Sequence, residues 1–453
     1  MGPVENKSNI VQYFCAAAMV LVISGCVSSH SELNAHQTDI SGVGVNNVSS
    51  MNLEQPDFTG AELDLDELLI YAVENSPELK GIYYRWQASK DRAPQVASLP
   101  DPKLSYGYFI ESVQTKTGPQ DQTVGISQTL PWFGKLSLKE KMAVKQADAI
   151  AQEYDAAVRH LVSDVKKSYY EYSWLHDAVK INREHINLLK VVESVASIRF
   201  KSGKISQSTL IQIQVEQGKI EDRIKELESL KSPLSNSIYA ALGAESGGLL
   251  PRPATESKVL TDLNVDELKL QMAQANPELK RISVLKEKQE LAVRLADKDY
   301  YPDVTFGLSY IDTDGGNDPT LALVSINLPI WRKSLNAAKR EAVSRRLSLS
   351  ESLTNTRLEL AAKLDLLIYY YQNALRKNKL YANTLIPKAQ QSIDLAVRGF
   401  ETGGVSFADL LNAERTLLEF QLDAKRHASD AAQRLAELDA LVAIEGSNHS
   451  SGE

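Results

Sequence analysis

Residues 128–158 read QTLPWFGKLSLKEKMAVKQADAIAQEYDAAV, and residues 325–347 read SINLPIWRKSLNAAKREAVSRRL. Each passage opens as an alternating strand, meets a proline (Pro131, Pro329) and continues as helix pattern with no stop signal. Proline donates no ladder hydrogen bond and fixes φ, so it suits the point where a strand ends and its chain must turn. A loop proline is the plain alternative at either site. Two matched sites favour a shared role and raise the question of a duplicated fold.

Other matches keep the same order. NSPELK at Asn75 returns as ANPELK at Ala275, and LPDPKLSYGY at Leu99 as YYPDVTFGLSY at Tyr300. IRFKSGKISQSTLIQIQ at Ile198 is matched by VRGFETGGVSFADLLNA at Val397. The separation stays near 200 residues, far longer than a solenoid period, so the chain holds two equivalent halves. The expected organisation is a signal segment over 1–25, a Ser/Asn/Gly-rich leader over 26–64, repeats over 65–250 and 251–446, and a tail over 447–453.

Within each repeat the pattern predicts a helix, a β-hairpin and two long helices. The first helices run Leu65–Ser98 and Val265–Lys298, with Pro77 and Pro277 at helix starts rather than inside. The hairpins span 103–130 and 303–328, with strands of about 9 residues, the length of a tilted transmembrane strand. Leu104, Tyr106, Tyr108 and Ile110 share one face; Ser105, Gly107, Phe109 and Glu111 take the other. A half-buried soluble hairpin has the same alternation. Four strands cannot close a membrane barrel, for which about eight is the minimum, so spanning requires several chains.

The helix pairs cover 137–242 and 334–444. From Leu138 to Phe200 there is neither proline nor glycine, a length on the order of 90 Å at 1.5 Å per residue. Ala147, Ala151, Tyr154, Val158, Leu161, Val165, Ser168, Tyr172, Leu175 and Val179 follow alternating four and three spacing, a coiled-coil seam. The second long helix, Leu335–Phe400, carries Pro387 as a kink. Gly203, and Gly403 with Gly404, read as helix C-caps. Ser206 and Ser406 read as N-caps of return helices ending near Leu242 and Ala443. The fold class is mainly α with a small β part.

The start carries IVQYFCAAAMVLVIS, the length of a signal-peptide apolar region, then Ile23-Ser24-Gly25-Cys26. This resembles the lipobox of bacterial lipoproteins, which makes Cys26 a lipidation site; a buried core cysteine is the alternative. Val27 after the cysteine favours outer-membrane sorting under the Gram-negative rules it resembles. With 43% hydrophobic and 24% charged residues the chain is too apolar to be disordered. A net charge of -8 argues against a general nucleic-acid binder. There is no Gly-rich phosphate loop, G-x-S-x-G or H-E-x-x-H, so an enzyme is not expected. No metal-ligand spacing and no cofactor motif stands out, since His176 and His185 lack the i, i+4 relation. Tyr369, Tyr370 and Tyr371 suit helix packing better than a stacking site.

Taken in this order, the two proline junctions, both glycine turns and the lipobox resemble the TolC-like outer-membrane efflux protein family across nearly the whole mature chain. LPWFGK is similar to the junction in its heavy-metal (CusC/CzcC-like) branch. The resemblance implies a homotrimer whose four strands per chain make a twelve-stranded barrel, continued by an α-helical tunnel across the periplasm. It implies passive conduction of metal ions or drugs, with a periplasmic adaptor (membrane fusion) protein and an inner-membrane pump engaging the helix turns. It also implies a pore gate at Asp409; the plain reading of Asp409 is a first-turn acid favoured by the helix dipole. Asn412 stands where a second acid is common, and Val405 near a place where some members carry a latching Arg. A lipid-anchored periplasmic coiled-coil scaffold or adaptor, and a channel for type I protein secretion, are the alternatives.

Overall fold

The computed structural model describes residues 62–254, 263–315 and 317–442. The signal segment, Cys26, nearly all of the leader and the tail lie outside the described residues. The first half runs β1 (Glu62–Leu63), α1 (Leu65–Asn75), α2 (Pro77–Ala97), β2 (Lys103–Thr115), β3 (Gly118–Leu130), α3 (Lys135–Lys201), α4 (Gln207–Ser229) and α5 (Lys231–Leu242). After β4 (Arg252–Pro253) the second half repeats it: α6 (Val265–Ala275), α7 (Pro277–Lys298), β5 (Val304–Thr313), β6 (Thr320–Ile326), α8 (Arg332–Leu380), a π-turn over Tyr381–Leu385, α9 (Ile386–Thr402) and α10 (Phe407–Val442).

Pro77 and Pro277 open α2 and α7, where a missing N–H costs nothing. The residue before each proline caps the new helix: Ser76 Oγ accepts the Leu79 N–H at 3.3 Å, and Asn276 Oδ1 those of Glu278 and Leu279 at 3.0 and 3.3 Å. Parallel pairing of β1 with β4 ties the start of the first half to its end. Tyr169 closes that tie by donating its hydroxyl to Ala254 O at 2.7 Å.

The sheet is antiparallel in the order β2-β3-β5-β6, leaving β2 and β6 as edges among the described residues. Its rows separate two faces. One row carries Leu104, Ile126, Leu308 and Ala322; the next on the opposite face carries Ser105, Gly125, Ser309 and Leu321. The apolar face therefore continues across all four strands. The small polar face is interrupted by Leu321 and Leu323 on β6. First-half strands reach 13 residues each, longer than the expected nine, and their pairing shifts register between Tyr108 and Val113. Among the described residues nothing covers this sheet as a core layer would: β6 is exposed along its whole length, and Leu104 and Ile110 are 77% and 93% exposed.

α3 is 67 residues long, about 100 Å at the α-helical rise. Its seam is buried at Ala147, Ala151, Val165, Tyr172, Leu175 and Val179, and half-buried at Tyr154, Val158, Leu161 and Ser168. α2 and α7 flank it near the sheet, α4 and α10 farther away. Apolar clusters are strung along this length instead of meeting at one centre. Leu68, Tyr172 and Leu242 in the first half correspond to Leu268, Tyr371 and Val442 in the second. A further cluster of Val192, Ile213, Ile393, Phe400 and Phe407 joins the halves at the far end. Tyr371 is core, at 1% exposure, whereas Tyr369 and Tyr370 face outward at 60% and 44%.

One helix reading needs correction, and the Pro387 kink takes a specific form. The first return helix breaks at Leu230, because Pro233 cannot donate to the carbonyl one turn back and fits only in the first turn of a new helix. The Pro387 kink is a π-turn in which Ile386 N–H reaches back to Tyr381 O, absorbing the bond that the proline cannot make. The second return helix, without an equivalent proline, is continuous.

Candidate functional site

At one end of the sheet, β3 and β6 finish and their chains turn at Pro131 and Pro329. The two turns are built differently. After Pro131, Gly134 adopts φ 87°, left-handed, and starts α3. After Pro329, Trp331 takes that place without a left-handed residue. Asp303, just before β5, binds the first turn to the second half. Its Oδ1 accepts the Trp132 N–H at 2.8 Å and Lys135 Nζ at 2.9 Å, and its own N–H donates to Asn327 Oδ1. Lys135 is buried and also meets Asp299 at 3.5 Å. Trp132 stacks on Tyr301 with centroids 5.0 Å apart. Proline fixes each corner, and this set of polar contacts holds the corners in one layer.

The opposite end carries the two helix turns. Gly203 (φ 72°) and Gly403 (φ 92°) are left-handed, and Lys204 N–H reaches Arg199 O at 2.9 Å while Gly404 N–H reaches Gly399 O at 2.8 Å. Ser206 Oγ accepts the Thr209 N–H at 3.3 Å, so both serines cap as expected. Ser406 and Asp409 bond reciprocally: the Asp409 N–H donates to Ser406 Oγ at 3.2 Å, and the Ser406 hydroxyl donates to Asp409 Oδ2 at 2.7 Å. The first bond is an ordinary serine N-cap, and the second ties the capping hydroxyl to the third-position carboxylate. Asp409 is exposed and Asn412 lies one turn on.

Arg199 was not singled out by the sequence, yet it joins the two turns. Its guanidinium donates to Phe400 O and lies 5.0 Å from the centroid of the Phe400 ring. The one sequence signal for it is its place in IRFKSGK, two residues before the end of α3 at Lys201. Val405, near the place where the resemblance puts a latching Arg, packs against Gly399 so closely that a side chain at Gly399 would collide with it.

Between α4 and α10, beside these turns, runs a groove with Ile211, Val215 and Leu411 among its apolar lining. Glu216 and Arg415 line it as well. Among the described residues no group of three or more His, Cys, Asp or Glu is placed to hold a metal ion, and no helix is long and apolar enough to cross a membrane.

Comparisons with known proteins agree with this arrangement. A family model described as outer membrane efflux protein matches residues 68–244 and 270–443, one match per half. The cobalt-zinc-cadmium resistance protein CzcC of Cupriavidus metallidurans is 24% identical over 379 residues, covering 81% of this chain and 87% of that protein. The outer membrane protein VceC of Vibrio cholerae is 18% identical and superposes with a TM-score of 0.69, over 83% of this chain and 95% of that one. The Neisseria gonorrhoeae MtrE outer membrane channel, solved in its open state, is 14% identical with a TM-score of 0.67, over 83% and 88% of the two chains.

Proposed function

The chain belongs to the outer membrane efflux protein family, and from that premise we propose that three copies form one continuous duct for export out of the cell. The observation that carries the proposal is the incomplete sheet. It has two unpaired edges, an uncovered apolar face, and both strand exits turned into helices on the order of 100 Å long. Edge strands left open invite pairing. β2 of one copy meeting β6 of the next closes a twelve-stranded wall with no edge. In that wall the apolar face meets lipid and the small face, with Gly107, Gly125 and Gly307 on it, lines water. The helices continue the wall as a periplasmic tunnel.

The turns and the α4–α10 groove are the surface for the periplasmic adaptor, behind which stands an inner-membrane pump. Asp409 from three copies would ring the narrow end; like charges at close range attract cations and disfavour full ionisation. Cys26 carries the lipid. Metal ions are the favoured cargo on the strength of CzcC, whose name records cobalt, zinc and cadmium resistance.

Purified protein in a planar bilayer tests the duct: stepwise ion conductance is expected, and an intact membrane-inserted protein that leaves the bilayer insulating overturns it in favour of a scaffold. Deleting the gene and challenging cells with cobalt, zinc, cadmium and a set of drugs tests the cargo; sensitivity to drugs alone would discard metals. Cys26→Ala should abolish incorporation of labelled fatty acid, and persistent labelling would discard the anchor.

A further inference from the structure

The apolar face of the sheet ends at the strand exits, in the row Leu130, Val304 and Ile326. An aromatic follows each exit at a matched position: Phe133 in LPWFGK and Trp331 in LPIWRK. Both are open, at 85% and 77% exposure, with Leu328 and Ile330 beside Trp331 at 65% and 64%. Trp132, next to Phe133, is by contrast stacked on Tyr301. Phe133 is not open because it lies at an edge, since α3 is flanked by α2 and α7. A large ring left uncovered gives up its main contribution to stability, yet each half keeps one at this place.

The same layer is strongly basic in a chain whose net charge is -8. Residues 330–346 hold Arg332, Lys333, Lys339, Arg340, Arg345 and Arg346 against one acid, Glu341. Glu341 is taken by Arg345 at 2.6 Å, and Lys339 by Asp297 of α7 at 2.7 Å. Arg332 lies over the Tyr300 ring, 5.4 Å from its centroid. Among the described residues no carboxylate stands within ion-pair distance of Lys333 or Arg340. Both are exposed, and one heptad apart on α8 they share a face. In the first half Lys139 and Lys141 are exposed likewise, with Glu140 between them. The far end of the sheet has the opposite sign, with Glu111, Asp121, Asp312, Asp314 and Asp318 outnumbering Lys116.

A shallow hollow at the head of α8 combines the two characters. Ile330, Trp331 and Ala337 supply apolar surface; Arg332, Lys333 and Ser334 supply polar surface. Aromatic rings followed by lysine and arginine, just beyond an apolar band, suit the interface of a bilayer, where rings sit at headgroup depth and cations meet anionic lipid. We propose that this layer docks on anionic glycerophospholipid headgroups of the leaflet nearest the helices, with Phe133 and Trp331 at headgroup depth and Lys333 and Arg340 on the lipid's negative charge. The inference rests on the reading that the apolar sheet face meets lipid, and adds which lipid and which residues. In three copies it supplies six rings around one circumference, so it sets the depth of the wall in the membrane independently of Cys26.

The test uses the full-length protein in phosphatidylethanolamine vesicles containing either brominated phosphatidylglycerol or brominated phosphatidylethanolamine at equal mole fraction. Bromine quenches tryptophan only at short range, and W331F isolates the share of Trp331. Brominated phosphatidylglycerol should quench wild type more strongly at low salt, with a lipid preference of up to about five-fold per basic residue engaged, and W331F should lose the difference. K333Q/R340Q should stay quenched by both lipids, but equally. High salt should shrink the wild-type difference. No quenching of Trp331 by either lipid, in protein that floats with the vesicles, overturns the proposal and puts the ring between copies or in the bore. Equal quenching of wild type by both lipids overturns it too, as does a preference that survives K333Q/R340Q. If W331F does not fold, the comparison of wild type with K333Q/R340Q decides alone. Conductance across the same vesicles tells the two readings apart: a conducting protein without lipid preference keeps the duct and loses this inference, and lipid preference without conductance does the reverse.

Discussion

Arg415 of α10 grips Glu216 of α4 with Nε at 3.0 Å from one carboxylate oxygen and an Nη at 2.5 Å from the other. The two residues lie 199 positions apart, one in each half, and this two-pronged contact joins the two return helices next to the turns. Arg415 holds the Glu216 carboxyl below its ordinary 4.5, against the opposing effect of burial, with Lys219 adding to the pull. A carboxylate depressed in the folded state contributes stability that is full above the unfolded value and lost as pH falls through the lower folded one. Glu216→Gln should therefore cost about 1.5 kcal/mol at neutral pH, reduced from the buried-pair range because Arg415 is half-exposed. It should also flatten the acid limb of thermal stability below about pH 4.5. A variant with the wild-type acid limb would show that the pair is ornamental.

In the proposed three-copy wall the sheet curls with its small face inward and needs room there. A Cβ at Gly125 would come within 2.6 Å of Ser309 Oγ and 2.8 Å of Ser105 Oγ, its neighbours in the same row on both sides. Gly125→Val should cost about 1–3 kcal/mol through overpacking and lower the yield of heat-resistant trimer on gels. Wild-type trimer yield would mean that this face is not the concave one.

Much of this architecture was readable before any coordinates, for a physical reason. Proline, glycine and capping serines act within a few residues, so Pro131, Pro277, Gly203 and Ser406 declare themselves locally. Strand alternation and the helix seam are periodic and equally local. What stayed hidden depends on contacts between halves. His185 meets Glu414 across 229 residues, and Arg199 meets Phe400 across 201. Nothing in a helix pattern says which polar seam residue faces which. The break at Leu230 hid for a different reason: Pro233 sits in a pattern whose apolar spacing continues through it.

Gly243 ends α5 at φ 70°, where an L side chain is strained, and a Cβ there would run into Pro77 Cδ and lie 3.2 Å from Asn75 O. Gly243→Ala should cost about 2–4 kcal/mol, from left-handed backbone and overpacking together. Scanning calorimetry should show the loss as a lower melting temperature with unchanged helix content at 25 °C. An unshifted transition would mean that the joint between α5 and the α1–α2 corner gives way freely.

At Asp409 the capping role and the gating role separate by substitution. Asp409→Ala removes the carboxylate that receives the Ser406 hydroxyl, costing about 1 kcal/mol of helix start. Asp409→Asn keeps an acceptor oxygen there and removes only the charge. If the ring of three carboxylates sets ion preference, both variants should lose cation selectivity in bilayers while only Asp409→Ala loses stability. Selectivity unchanged in Asp409→Asn would leave the residue as a cap alone.

Arg199 is the remaining test of how the turn-bearing end is held. Its guanidinium combines a hydrogen bond to Phe400 O with a planar approach to the Phe400 ring, so it ties the end of α3 to the end of α9. In the proposed duct, opening that end separates the two turns and breaks this tie. Arg199→Ala should remove about 1–2 kcal/mol that favours the closed arrangement. At 1.4 kcal/mol per decade this raises the open fraction by roughly tenfold, read as more frequent or larger conductance steps in a bilayer. Arg199→Lys keeps the charge but loses the flat stacking surface and the fork of donors, so it should fall between wild type and Ala. Equal conductance in all three, with trimers intact, would show that the turns part without breaking this contact and that closure is set elsewhere along the helices.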